Sequence, residues 1–389
     1  MKNIFFTLCL IVFISNIGRA QVFKINRLIV DKETKSPLEN VSVSNDIDNS
    51  STNQEGFFVF NSSKNEINFN LLGYNSIKTT FDSIAKKDTI FMESKAFVLD
   101  EVLVSNVEPF MKKVYDKMND NFIKEYTVNF FLRSVLKKED SIIILQDIQG
   151  KRGKYDNSKK PYDIEVVNMR KTSLFEKKNA IDFTLPDFNQ FFSPPLPIRE
   201  NTNFTEVVYN DVDFRKILFE AKEKNSWGQI LKGYFIINKN DYTIVEHYIS
   251  LYDDPDQIPY VKFTLSSTRY RNTKYERFVS YGKNEVLNKY YLKSSKLNTQ
   301  LEVLRNKEDK KAVYIDFTMD YFITNAISYD KVESNFAVDK DIFKAKFPYS
   351  AEFWNNQNQL PLTTELKVFL KKVSQNKDKK KEFEIIGNF

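Results

Sequence analysis

Between Val128 and Tyr321 the chain repeats one pattern: short runs in which apolar and polar residues alternate, separated by clusters of Asn, Lys and Asp. Alternation with period two puts successive side chains on opposite faces of a strand. Polar turns a few residues long can connect only antiparallel neighbours, because parallel strands need long crossovers. The clearest example is a hairpin in which Leu231 to Ile237 runs up, Asn238 to Asp241 turns, and Tyr242 to Ile249 returns. Further strands are expected at Asn129–Ser134, Ser141–Gln146, Ile164–Met169, Tyr260–Leu265, Phe278–Tyr281, Lys289–Lys293, Leu301–Leu304 and Val313–Tyr321. Together they predict a large antiparallel body, a curved sheet or half-barrel. The segment from Pro186 to Arg199, with Phe191-Phe192 followed by Pro194, Pro195 and Pro197, reads as a loop dividing two halves of that body.

The first hundred residues carry shorter strands. Phe23 to Val30, Val41 and Val43, Phe57 to Phe60, Ile67 and Phe69, and Thr89 to Met92 are strand candidates. Asp31–Pro37, Asp46–Asn53 and Gly73 mark the turns between them. This spacing predicts a Greek-key β-sandwich over 21–96. The residues Ile29 and Asp31, Pro37-Leu38, Val41 and Val43, Thr52-Asn53, Gly56-Phe57 and Gly73-Tyr74 occur in an order that resembles a carboxypeptidase regulatory-like domain, a transthyretin-like module of secreted and outer-membrane proteins of the Bacteroidota. Leu99 to Val104 is similar to the strand that follows this domain in TonB-dependent receptors. The chain departs from the family at Arg27, where a glycine is usual. The resemblance implies export and interaction rather than hydrolysis. Gly73-Tyr74 reads as a turn glycine and a packed tyrosine rather than a ligand contact, because glycine is the default where φ must be positive. Phe353-Trp354-Asn355 with Leu360-Pro361-Leu362 is similar to the end of longer family members. The hairpins of the body are similar to those of periplasmic lipoprotein-carrier half-barrels, a likeness of fold only.

Residues 1–20 read as a secretion signal: Lys2, an apolar run from Ile4 to Ile14, and Gly18-Arg19-Ala20 before a cut preceding Gln21. Cleavage there lowers the net charge of +6 by the two cations Lys2 and Arg19. The one cysteine, Cys9, lies inside the apolar run rather than at the cut, so a lipoprotein is not expected. The mature chain then has no disulfide and no thiolate chemistry. Residues 97–126 read as a linker strand and an amphipathic helix from Val107 to about Tyr126, capped by Asn106, with Phe110, Val114 and Met118 on one face. The β-rich domain occupies 127–370. Residues 371–389 read as a basic tail, solvated or touching acidic lipid head groups or peptidoglycan-associated acids. Phe389 is an aromatic C-terminus of the kind found in outer-membrane barrels, but Gly387 and Lys381 stand where that signal has apolar residues.

The chemistry-bearing residues are sparse. His247 is the single histidine and follows Glu246 on a strand, so the two point to opposite faces; an exposed or half-buried position is expected for it. No Ser-His-Asp set and no zinc site with two histidines can be assembled. Asp253-Asp254-Pro255-Asp256 reads as a surface turn, with calcium as the alternative. Asp82-Ser83-Ile84, Asp88-Thr89-Ile90 and Asp140-Ser141-Ile142 resemble the O-glycosylation consensus of this bacterial group. There is no phosphate loop or dinucleotide fingerprint, and the modest positive charge leaves no nucleic-acid footprint. No catalytic, cofactor-binding or metal residue is therefore assigned. The expectation is a non-enzymatic cell-envelope protein, periplasmic or associated with the outer membrane. Its sandwich would contact an envelope protein or a glycan, and its body would bind a ligand or partner. The alternatives are a periplasmic carrier of an apolar ligand, a carboxylate-only hydrolase and a small outer-membrane barrel. A deep cavity lined by Phe and Tyr would favour the carrier.

Overall fold

The computed structural model describes residues 22–95, 106–157, 159–174, 187–192, 196–209, 211–225, 228–252, 257–262, 267–304, 311–375 and 382–389. The signal segment, Leu99 to Val104 and Asp253 to Asp256 lie outside these residues.

The N-terminal unit is a two-sheet sandwich. Its strands are β1 (Phe23–Asp31), β2 (Ser42–Ser44), β3 (Asn49–Ser51), β4 (Phe57–Ser62), β5 (Glu66–Asn70), β6 (Ile77–Thr80) and β7 (Thr89–Met92). One sheet has the order β4-β1-β7, with β1 and β7 parallel, and the other β3-β2-β5-β6. Alternate residues of both sheets, among them Ile29, Val43, Phe58, Phe60, Ile67 and Phe69, meet in a fully buried core. Gly56 (φ 77°) needs its missing side chain: a Cβ would stand 2.5 Å from the Ile29 carbonyl oxygen. A short helix, α1 (Phe81–Ala85), precedes β7 and was not expected. It explains Arg27, whose guanidinium donates to Ala85 O at 2.7 Å and Lys87 O at 2.5 Å, satisfying carbonyls that the helix end leaves free. Gly73 turns at φ 82° and Tyr74 packs half-buried against the core, its hydroxyl facing Asp31, as the sequence implied.

The body is one antiparallel sheet. Its strands are β8 (Tyr126–Lys138), β9 (Ser141–Lys154), β10 (Tyr162–Leu174), β11 (Thr202–Val207), β12 (Phe214–Ala221), β13 (Ile230–Asn238), β14 (Ile244–Tyr252), β15 (Val261–Lys262), β16 (Arg269–Asn284), β17 (Lys289–Leu304), β18 (Val313–Ile323) and β19 (Phe383–Ile386). The order is β11-β12-β13-β14-β16-β17-β18-β8-β9-β10-β19, with β15 beside β16. Two meanders thus meet where β18 pairs with β8, and β11 and β19 remain separate edges: the sheet is curved but does not close into a barrel. The Lys289–Lys293 and Leu301–Leu304 candidates are the two ends of the single strand β17. Glu139 and Asp140, with φ of 48° and 61°, make the two-residue turn between β8 and β9.

Both faces of this sheet are covered. The inner face carries Tyr126, Val128, Phe130, Leu132, Met319, Tyr321 and their neighbours. Helix α2 (Glu108–Asn121) lays Val107, Met111 and Val114 over Ile217, Phe235, Ile237 and Ile249 on the inner face of β12–β14. Asn106 Oδ1 accepts the Glu108 N–H at 3.2 Å at its start; Met111 and Val114 are its buried side chains, Phe110, Tyr115 and Met118 pack partly buried beside them, and it ends at Asn121 rather than near Tyr126, which opens β8. Within the Pro186–Arg199 stretch expected to be a loop, Phe188–Phe192 form a short helix, α3, while 196–198 have no regular structure. Phe188, Phe191 and Phe192 recur at helical spacing and all three are buried against Phe130, Tyr162 and Tyr321.

The outer face is covered by helices α4 (Ala351–Asn355) and α5 (Thr364–Gln375) and by the sandwich. The basic tail also departs from expectation: α5 continues to Gln375, and β19 pairs with β10 from Lys171↔Ile386 to Leu174↔Phe383. Phe389 stacks on Arg170 at 4.7 Å. The C-terminus is recruited because β10 would otherwise present an unpaired edge.

Candidate functional site

The two inner-face covers do not meet. Between the C-terminal end of α2 and the C-terminal end of α3 lies a cavity of about 580 Å³. Eight of its lining side chains are aromatic: Phe122, Tyr126, Tyr155, Tyr162, Phe192, Tyr281, Tyr290 and Tyr291. Missing side chains make room for two of these rings. A Cβ on Gly282 would stand 2.8 Å from the Tyr291 ring, and one on Gly153 would stand 2.4 Å from the Tyr155 hydroxyl. Phe122 breaks out of the helix into extended backbone and packs edge-on against Tyr281 at 4.8 Å.

Two polar side chains are sealed into these walls, Arg152 on β9 and His247 on β14, both 0% exposed. The Arg152 guanidinium lies against Phe192 at 4.8 Å, Tyr126 at 5.2 Å and Tyr321 at 5.5 Å. One Nη donates to the Tyr126 hydroxyl at 2.8 Å, and that hydroxyl also accepts the Leu292 N–H at 3.2 Å. Its Nε has no hydrogen-bond acceptor. Burial alone would lower the Arg152 pKa; the phenols of Tyr126, Tyr321 and Tyr162 outweigh it, and the group stays cationic.

The same strand shows what a buried arginine ordinarily requires. Asp147, five residues back and therefore on the outer face, is shared by two guanidinium groups. Arg133 binds it through both carboxylate oxygens at 2.8 Å, and Arg170 binds it at 2.7 and 3.0 Å. Arg152 has aromatic faces and one phenol in place of a carboxylate, an uncompensated arrangement for a desolvated charge.

His247 stands opposite Phe235 and Val279 in the ladder, with Tyr281 at 5.9 Å, and neither ring nitrogen has a partner. The exposed or half-buried position expected for it is overturned: α2 and α3 cover the inner face here, a tertiary effect that strand context does not reveal. Burial, and then the Arg277 charge, push its pKa down to about 3, so it is neutral. Glu246 does point to the opposite face, where burial raises its carboxyl to about 7 while Tyr234 donates to it at 3.1 Å.

The remaining polar lining is cationic on balance. Lys154 donates to Ile123 O at 2.7 Å and Lys124 pairs with Asp156 at 3.4 Å. Asp156 is the one carboxylate of the described lining. Among the described residues, no group of three or more His, Cys, Asp or Glu is placed to hold a metal, and no helix is long and apolar enough to cross a membrane. The Ser83 and Ser141 hydroxyls of the glycosylation-like tripeptides are on exposed residues, and Thr89 is half-buried.

Sequence reading missed Arg152 altogether. It sits in Gly150-Lys151-Arg152-Gly153, a polar stretch that resembles a loop but continues β9. The alternation of Tyr126, Val128 and Phe130 on the paired strand β8 was the available signal.

No protein-family model matches the chain. A 191-residue stretch is 24% identical to Toxin A of Clostridium novyi, covering 46% of this chain and 8% of the toxin. A lipovitellin structure solved for its lipid–protein interactions superimposes with a TM-score of 0.25 at 10% identity, over 59% of this chain and 28% of that one. The chain thus spans a small part of either protein, and similarity at these levels assigns neither family nor activity.

Proposed function

We propose that the β-rich body is a binding protein for a small, largely apolar molecule, held in the cavity between α2, α3 and the inner face of the sheet. The observation that carries this reading is the cavity itself. Its volume is in the range of ligand sites, its walls are rich in aromatic rings, and it holds a few buried polar groups with unused hydrogen-bonding capacity. With residues 1–20 read as an export signal, the protein would act in the cell envelope, as a carrier rather than a catalyst. The sandwich, docked on the outer face, would serve as the module that meets an envelope partner.

Titration of the mature chain from Gln21 with the neutral apolar fluorophore N-phenyl-1-naphthylamine tests the reading. Saturable enhancement at one site is expected. Leu196→Trp, which places a large ring in the cavity lining, should weaken it at least tenfold. A mature chain that gives no saturable signal would end the proposal.

A further inference from the structure

Resting on that reading, we infer that the ligand carries an oxyanion head, a carboxylate or phosphate, on its apolar part, and that the Arg152 guanidinium receives this head.

Three observations converge on this assignment. Arg152 is fully buried, lines the cavity, and keeps Nε without an acceptor. An oxyanion on the guanidinium edge would supply the missing acceptor and the missing counter-charge together, in the bidentate manner that arginine offers to planar or tetrahedral oxyanions. Two other buried arginines do have a carboxylate: Asp147 serves both Arg133 and Arg170 on the outer face of the neighbouring strands. On balance the other charged side chains of the lining add to the positive field, and they already hold protein partners. Asp156, its single described carboxylate, pairs with Lys124, while the Lys154 ammonium is engaged with the Ile123 carbonyl. His247 is neutral, so it offers one donor and one acceptor but no charge. The aromatic walls would hold the apolar part, and the stacked rings of Phe192, Tyr126 and Tyr321 keep the guanidinium in place.

The experiment is competition against bound N-phenyl-1-naphthylamine on the mature protein, with dodecanoate, monododecyl phosphate and 1-dodecanol below their aggregation limits. At least one anionic probe should displace the fluorophore at a concentration tenfold or more below that needed for the alcohol. In Arg152→Met, unbranched, apolar and lacking the guanidinium, this preference should vanish while the alcohol still competes. Arg152→Lys should keep part of it. The two anions separate a carboxylate from a phosphate source. Equal displacement by all three probes in the unmodified protein, or a preference that survives Arg152→Met, overturns the head-group assignment and leaves the carrier reading intact. Failure of the fluorophore to bind overturns both. A thermal melt separates misfolding from lost recognition: Arg152→Met should melt no lower than the unmodified chain, because it removes a desolvated charge without orphaning a partner carboxylate.

Discussion

Asn61 of the sandwich and Asn358 of the body clasp each other across the join. The Asn358 side chain accepts the Asn61 N–H at 2.7 Å and donates to the Asn61 carbonyl at 3.1 Å. Beside this pair, Asn49 N donates to Thr324 O at 3.0 Å and Ala326 N to Ile47 O at 2.8 Å, so the units are joined by backbone as well as side chains. Lys296 of the body sits between Glu39 of the sandwich and Asp320. The sandwich is seated on the sheet rather than tethered to it.

Replacing Asn358 with Ala leaves the buried Asn61 N–H and C=O without partners. The expected cost is about 2–6 kcal/mol, from one to three for each of the two orphaned groups. Urea denaturation followed by Trp354 fluorescence measures it. A loss below about 0.5 kcal/mol would mean that the clasp is decorative.

Asp147→Asn strands two buried guanidinium groups and should cost about 3–5 kcal/mol by the same measurement. Burial alone would raise the Asp147 pKa, and Arg133 and Arg170 more than reverse it. Its folded pKa is therefore below the unfolded value of 3.8. The sign follows: its contribution is complete above pH 4 and is lost as pH falls through the depressed folded value. The variant should lack that acid-side loss.

Glu246 and His247 set opposite slopes. The His247 pKa falls from 6.5 unfolded to about 3 folded, so stability declines as pH drops from 6.5 towards 3. The Glu246 pKa rises from 4.5 to about 7, so stability declines as pH climbs from 4.5 to 7. Each slope is about 1.4 kcal/mol per pH unit, and they cancel where they overlap. The unmodified protein should be nearly flat between pH 4.5 and 6.5. His247→Gln should lose stability with rising pH there, and Glu246→Gln should gain it. Parallel curves for all three proteins would contradict the assigned shifts.

Gly150→Ala and Gly282→Ala should differ. At Gly150 a Cβ meets the Glu165 carbonyl oxygen at 2.5 Å as well as Phe130, and backbone must move; about 1–3 kcal/mol should be lost. At Gly282 the Cβ meets the Tyr291 ring, which can swing away. That variant should fold near normally and change fluorophore affinity instead.

The architecture was legible where one strand face is wet and turns are polar. The Asn238–Asp241 hairpin and the alternation through Val313–Tyr321 gave the meander directly. Legibility failed where a residue's surroundings come from distant chain. His247 looks like any strand residue until α2 and α3 are laid over it. Arg152 looks like loop in a Gly-Lys-Arg-Gly stretch. Phe188–Phe192 is too short, and too near prolines, to announce a helix. Strands β11 and β12 and the middle of β17, Ser294 to Gln300, were hidden because polar residues occupy both faces of the latter where the sandwich docks.

The pairing of β18 with β8 has a consequence for how the chain reaches this state. Phe131 meets Phe322 in that ladder, so the two meanders are joined only after nearly the whole body has been synthesised and a very long loop has closed. Contacts this distant in sequence are entropically slow to form. Until they form, α3 has no completed sheet to enter and three phenylalanines remain in water. A chain built this way carries the Phe-rich helix α3 undocked until its two meanders pair, and its folding yield depends on how quickly they find each other.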